Sequence, residues 1–162
     1  MENLLNNAFD LDILGWPETL LRMCLATVLA MLLGIERDTK KKPIDFRAFG
    51  IIALASCVLA MLAQELYADF SAADNVVSLD LAKIIAGVLT GIGFLGAGAI
   101  IKQDDGAVVG TATGASIWAS GALGLSIGFG FYGMALAMFV LMALILLGGG
   151  WLSHLLSTKD RD

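Results

Sequence analysis

Glu36 and Arg37 stand side by side at the end of a long apolar run, and Arg47 opens the next one. A carboxylate beside a guanidinium, with a second arginine close behind, could join two helix ends as an ion-pair cluster. The same groups could instead form a regulatory or ion-sensing site. Asp104 and Asp105, followed by Gly106, make an acidic turn. Magnesium is commonly held by one or two carboxylates together with water, although Asp and Gly also favour turns for backbone reasons alone. Arg22 follows Glu18 by four residues and Lys83 follows Asp80 by three, which places each pair on one helix face. Both cations lie close to hydrocarbon. Snorkelling to the interface is the ordinary expectation, and a charge turned into the bundle is the functional one. Cys24 and Cys57 have no metal-ligand spacing and read as small buried hydrophobes. His154 is the only histidine and has no partner pattern. No nucleophile elbow, phosphate loop, HExxH or CxxC occurs. The chain is expected to be no enzyme and to carry no cofactor.

The elements that must position these groups follow from composition. The chain has 162 residues, 58% hydrophobic and only 15% charged, against about 25% charged in ordinary soluble domains. A soluble globular domain is not expected, disorder is excluded, and with a net charge of −5 nucleic acid is not an expected partner. A spanning helix needs about 20 mostly apolar residues. Uncharged stretches run from Ala48 to Gln64, from Ile84 to Ile101 and from Gly106 to Thr158, the last long enough for two spans with a turn at 128–133. With a first span beginning near Pro17, the sequence predicts an all-α polytopic membrane bundle of about five transmembrane helices, near 17–35, 48–65, 80–101, 107–127 and 131–151. No strand-like alternation supports a lipid-facing barrel. Residues 1–16 form a short extracytoplasmic segment that does not read as a secretory signal, 17–151 the membrane domain and 152–162 a cytoplasmic tail.

Eight of the ten basic residues fall on alternating loops of one side: Arg37, Lys40, Lys41, Lys42, Arg47, Lys102, Lys159 and Arg161. By the positive-inside rule the N-terminus is expected outside and the C-terminus in the cytoplasm. Trp16, Tyr67 and Tyr132 then anchor the outer interface and Trp151 the inner one.

Glycine is abundant, at 19 residues. Helix three carries Gly87, Gly91, Gly93, Gly96 and Gly98, and helix four carries Gly110 and Gly114, then a row of Ser116, Ser120, Gly124 and Gly128. Small residues four apart let helix backbones approach closely. The glycines of helix three could also mark a helix break near the membrane centre, as in discontinuous transporter helices.

The run Gly91-Ile-Gly-Phe-Leu-Gly-Ala-Gly-Ala-Ile-Ile101 resembles the signature of the MgtC/SapB family of bacterial inner-membrane proteins. Gly34-Ile-Glu-Arg37 resembles the family's G-x-E-R, and Arg47 stands where the family has an arginine opening helix two. Gly110, Thr113, Ala115 and Trp118 resemble its G-x-x-T-x-A-x-x-W pattern, while Lys83 occupies a place usually held by arginine. The resemblance covers about residues 18–150. The chain departs from the pattern at Val109, where the family commonly has arginine, at Ala112, where it often has Thr or Asn, and at Phe49, where it tends to have a polar residue. Many members carry a soluble C-terminal domain, which this chain is expected to lack. The resemblance makes Glu36, Arg37, Arg47, Lys83, Thr113 and Trp118 the functional candidates. It implies a protein of magnesium-limitation physiology, linked in some pathogens to survival inside host cells, that regulates other membrane systems.

The expected function is regulation of other membrane proteins, with an ion transporter or channel for magnesium or another small ion as the alternative. The expected partners are the lipid bilayer, other inner-membrane proteins and a second copy of the chain, a dimer being favoured, joined through the glycine faces of helices three and four.

Overall fold

The computed structural model describes residues 13–39, 44–72, 80–104 and 106–159. Within them lie five helices and one small hairpin: α1 (Trp16–Thr39), α2 (Phe46–Ala72), α3 (Leu81–Gly98), β1 (Ile101–Lys102), β2 (Val108–Val109), α4 (Thr111–Gly128) and α5 (Tyr132–Lys159). Four of the helices, α1, α2, α3 and α5, are long and apolar enough to cross a membrane. The protein is an all-α membrane bundle, in which each helix satisfies its own backbone as hydrocarbon requires.

Local chemistry sets the helix ends. Pro17 falls in the first turn of α1, where its missing N–H costs nothing. The Asp45 carboxylate accepts the Arg47 N–H at the start of α2 (2.9 Å). Asp80 caps α3, its carboxylate accepting from Ala82 N (3.0 Å) and Lys83 N (3.4 Å). The end of α4 is a Schellman turn. Gly130 N donates to Ile127 O (2.9 Å) and Phe131 N to Ser126 O (2.8 Å), and Gly130 takes the left-handed φ of 83° that this turn demands.

The helices alternate in direction. Gly34 lies against Phe46 and Phe49, and Gly50 against Met31, so α1 and α2 run antiparallel. Gly124 meets Ala53 and Gly128 meets Cys57, so α2 and α4 run parallel. Gly96 meets Gly114 and Gly121 meets Ile92, so α3 and α4 are antiparallel. Helix α4 is the centre. It packs on α2 and α3, and also on α1 and α5. Ile117, Ser120, Leu123, Gly124, Ile127 and Gly128 are among its many buried residues. The other helices pack around the one that is not apolar enough to qualify as a span by itself, leaving one face with Ala112, Ala115 and Trp118 exposed.

The structure corrects three expectations. Helix α3 is uninterrupted through Gly91, Gly93 and Gly96, so its glycines mark no break at mid-membrane. Ala99 N and Ile100 N close its last turn onto Gly96 O and Ala97 O, both at 3.1 Å. Helices three and four, expected to run to 101 and from 107 with a short loop between, are instead joined by a hairpin pairing Ile101 with Val109 and Lys102 with Val108. Finally, the glycine rows differ in use. Gly96 and Gly114 bring two backbones together: a Cβ at Gly96 would lie 2.9 Å from the Gly114 carbonyl oxygen. Around Gly87, Gly91 and Gly98 a Cβ would meet nothing within 4 Å.

Gly96→Leu is therefore expected to lower stability by at least about 1–3 kcal/mol, the usual cost of overpacking, whereas Gly91→Leu leaves the folded protomer intact. Thermal unfolding of the two variants in detergent measures the difference.

Candidate functional site

Two clusters of polar side chains lie at opposite ends of the bundle. The first gathers around Arg22. Its Nε donates to Glu18 Oε1 (3.0 Å) and to the Tyr132 hydroxyl (2.9 Å). Its Nη2 pairs with the same Glu18 oxygen at 2.9 Å. Its Nη1 donates to Gly128 O at 2.7 Å. Gln64 Nε2 donates to that same carbonyl, also at 2.7 Å. The Tyr132 hydroxyl in turn donates to Glu18 Oε1.

Gly128 is the last residue of α4, and its carbonyl has no partner within the helix. A cation at a helix C-terminus is also favoured by the macrodipole. Arg22 thus closes the end of α4 from α1, while Gln64 closes it from α2. Snorkelling does not describe Arg22, which is only 8% exposed and faces the bundle. Beside this cluster the Glu65 carboxylate accepts from Leu14 N (3.0 Å) and Ile13 N (3.1 Å), which secures the chain entering α1.

The second cluster is at the other end. Arg37 Nε meets Glu36 Oε2 at 2.6 Å, with both side chains largely buried. The Thr39 hydroxyl donates to Glu36 O (3.0 Å). Helix α1 and helix α4 run in opposite directions from the Arg22–Gly128 contact. Arg37 and Thr113 each lie fifteen residues from it along their own helices, so they stand at about the same depth. Thr113 is buried and its Oγ1 has no hydrogen-bond partner in the structure.

The remaining candidates do not join this cluster. Arg47 is exposed and pairs with Asp45 (3.4 Å), so the expected link from Arg47 to Glu36 and Arg37 is not made. Lys83 is exposed beside Asp80 (3.6 Å), as snorkelling would have it. Trp118 lies beside Gly93 and is 44% exposed, on the outer side of α4. Asp104 is exposed in the hairpin loop, and Asp105 lies outside the described residues. Among the described residues no three of His, Cys, Asp and Glu gather where they could hold a metal ion. The role of Gln64 and Tyr132 was missed. Both are more than sixty residues from Gly128 or Arg22 in their contacts, and local spacing carries no sign of such a pairing.

Among the described residues, apolar grooves open on the flanks. One, of about 200 Å³, lies between α4 and α5 over Ala112, Ala115 and Ala119. Another, of about 320 Å³, lies between α1 and α5 and ends at Glu36 and Thr39.

These features define a helical membrane protein built on a small-residue central helix, with an ion pair at each end of α1: buried at Arg37–Glu36, and half-exposed on the Glu18 side at Arg22–Glu18. The profile of the MgtC family matches residues 23–155, and the chain belongs to that family. It is 33% identical over 136 residues to Protein SapB of Bacillus subtilis, an alignment covering 81% of this chain and 58% of that one. It is 33% identical to Putative magnesium transporter YhiD of Escherichia coli (80% and 59% covered) and 30% identical to Protein MgtC of Salmonella typhimurium (79% and 52% covered). The chain thus spans little more than half the length of these relatives. No solved structure matches it.

Arg22→Ala is expected to cost about 2 kcal/mol, since it removes charge-assisted hydrogen bonds to a buried carbonyl. Arg22→Lys restores only part, because an ammonium cannot fork to Glu18, Tyr132 and Gly128 together. Arg47→Ala and Lys83→Ala leave the unfolding midpoint unchanged. Denaturation in detergent, followed by tryptophan fluorescence, ranks the four variants.

Proposed function

We propose that this chain is a non-enzymatic protein of the bacterial inner membrane that regulates other membrane proteins when magnesium is scarce. Membership of the MgtC family and the names of its relatives support a place in magnesium homeostasis. The packing of the centre carries the regulatory reading. Backbone meets backbone at Gly96 and Gly114 and at Gly124 and Ala53, and the grooves lie on the flanks of the bundle. A centre filled in this way suits a binding scaffold better than a conduit. The N-terminus lies outside and the C-terminus in the cytoplasm, a reading supported by the side on which the basic residues fall.

A dimer would use the face of α3. The glycines of α4 are spent inside the protomer, whereas Gly87 and Gly91 stand open one turn apart. Gly91→Leu is expected to convert dimer to monomer in detergent sizing with light scattering, and an unchanged mass would remove this face from the account.

Transport is the second reading, favoured by the name of the E. coli relative, Putative magnesium transporter YhiD. Vesicles holding the purified protein and a magnesium-sensitive dye separate the two. Regulation predicts entry of Mg²⁺ no faster than in protein-free vesicles, together with a reproducible membrane-protein partner captured from native membranes at low magnesium. Protein-dependent influx would establish transport instead.

A further inference from the structure

The start of α4 is an uncapped helix N-terminus. Gly114 N donates to Gly110 O at 2.8 Å, the first bond of the helix, so the N–H groups of Thr111, Ala112 and Thr113 have no partner within it. The N-cap residue is Gly110, which offers no side chain to accept from them, and the first turn holds no acid. No other residue could take over the cap. Gly110 has a left-handed φ of 89°, and a Cβ there would collide with Ala99 O. Donors arranged in this way, together with the positive end of the macrodipole, favour an anion. Thr111 and Ala112 are exposed, so the helix start is reached from outside the bundle.

Thr113 is an independent sign of a ligand. It is 1% exposed, and its Oγ1 has no hydrogen-bond partner. Ser116 and Ser126 on the same helix donate to carbonyls four residues back, those of Ala112 and Ala122. Four residues before Thr113 stands Val109, in the hairpin rather than the helix. As the third residue of α4, Thr113 tilts its side chain back towards the helix start. Arg37 supplies charge at the same depth. It is buried on α1, which packs on α4, and packed helices stand about 8–10 Å apart, a span an arginine can cross. Glu36 Oε2 accepts from its Nε. Among the described residues its two Nη groups make no hydrogen bond, which leaves the fork that suits a phosphate.

We propose that the start of α4 holds a phosphate oxyanion, the group shared by inorganic phosphate and phospholipid headgroups. The N–H groups of Thr111, Ala112 and Thr113 and the Thr113 hydroxyl donate to its oxygens, and the Arg37 Nη groups pair with its charge. The site is independent of the regulatory reading, since it needs neither a protein partner nor magnesium.

The full chain, stripped of lipid in a phosphate-free detergent, is given two probes. Radiolabelled inorganic phosphate is followed by equilibrium dialysis. Phosphatidylglycerol is followed by native mass spectrometry against diacylglycerol of identical acyl chains, which lacks the phosphate. Retention of inorganic phosphate supports the site with a soluble source, and retention of phosphatidylglycerol alone supports it with a headgroup. Thr113→Val keeps the shape and removes only the hydroxyl. It should weaken binding of the retained probe roughly tenfold, the worth of one hydrogen bond to a charged group. Because that hydroxyl has no partner within the protein, the unfolding midpoint without probe should not fall. Arg37→Lys should weaken binding too, since an ammonium cannot fork. Arg47→Ala, which removes an exposed cation at the same end, should leave binding unchanged. Retention of neither probe, binding indifferent to Thr113→Val, a lowered midpoint for that variant, or an equal loss with Arg47→Ala would overturn the site.

Discussion

Everything in this bundle depends on how close α4 can come to its neighbours. In hydrocarbon the hydrophobic effect gives little drive between helices, so dispersion and backbone contact must hold them together. Such forces fall off steeply with distance. Gly96 against Gly114, and Gly124 and Gly128 against Ala53 and Cys57, remove the side chains that would hold the axes apart. This contact allows a helix rich in serine, threonine and glycine to reside at the centre. Its hydroxyls do not burden the lipid. Ser116 donates to Ala112 O and Ser120 to Ile117 O, both at 2.7 Å, so these two are satisfied by their own helix, while the buried Thr113 Oγ1 has no hydrogen-bond partner.

The end of α4 is finished by its neighbours. A helix terminus buried in a bundle exposes carbonyls that water cannot reach. Arg22 and Gln64 reach Gly128 O from two other helices, and Tyr132 and Glu18 hold the guanidinium in place. The same residues therefore fix the relative heights of α1, α2, α4 and α5. Arg22 is better understood as a structural bracket than as a charge awaiting a ligand. Glu36, at the other end of α1, belongs to a buried pair with Arg37 and borders the α1–α5 groove.

Much of the architecture is legible in the sequence. Gaps between charged residues located the helices, because a charge in hydrocarbon is expensive wherever it falls. Small residues four apart announced close packing, but not which row would be used. The row in α3 around Gly87 and Gly91 faces outward, while that of α4 is consumed inside, and a one-dimensional period cannot tell a neighbour in the same chain from one outside it. The hairpin at 101–109 was missed because Ile100, Ile101, Val108 and Val109 are as apolar as the helices they join. In the site, adjacency revealed the Glu36–Arg37 pair. For Arg22 the sequence left snorkelling and a charge turned into the bundle both open, because its decisive partners, Tyr132 and Gly128, lie more than a hundred residues away. The error befell Arg47, whose apparent link to Glu36 dissolves into a local pair with Asp45.

The burial of α4 is the claim on which this account stands, and lipid contact measures it directly. In nanodiscs containing a doxyl-labelled lipid, paramagnetic broadening of methyl resonances reports which side chains touch acyl chains. The methyls of Ile117, Leu123 and Ile127 on α4, all almost wholly buried, should stay sharp, while those of Leu141, Leu144 and Ile145 on α5 broaden. Broadening of the α4 methyls to the same degree as those of α5 would place α4 against lipid and contradict the fold.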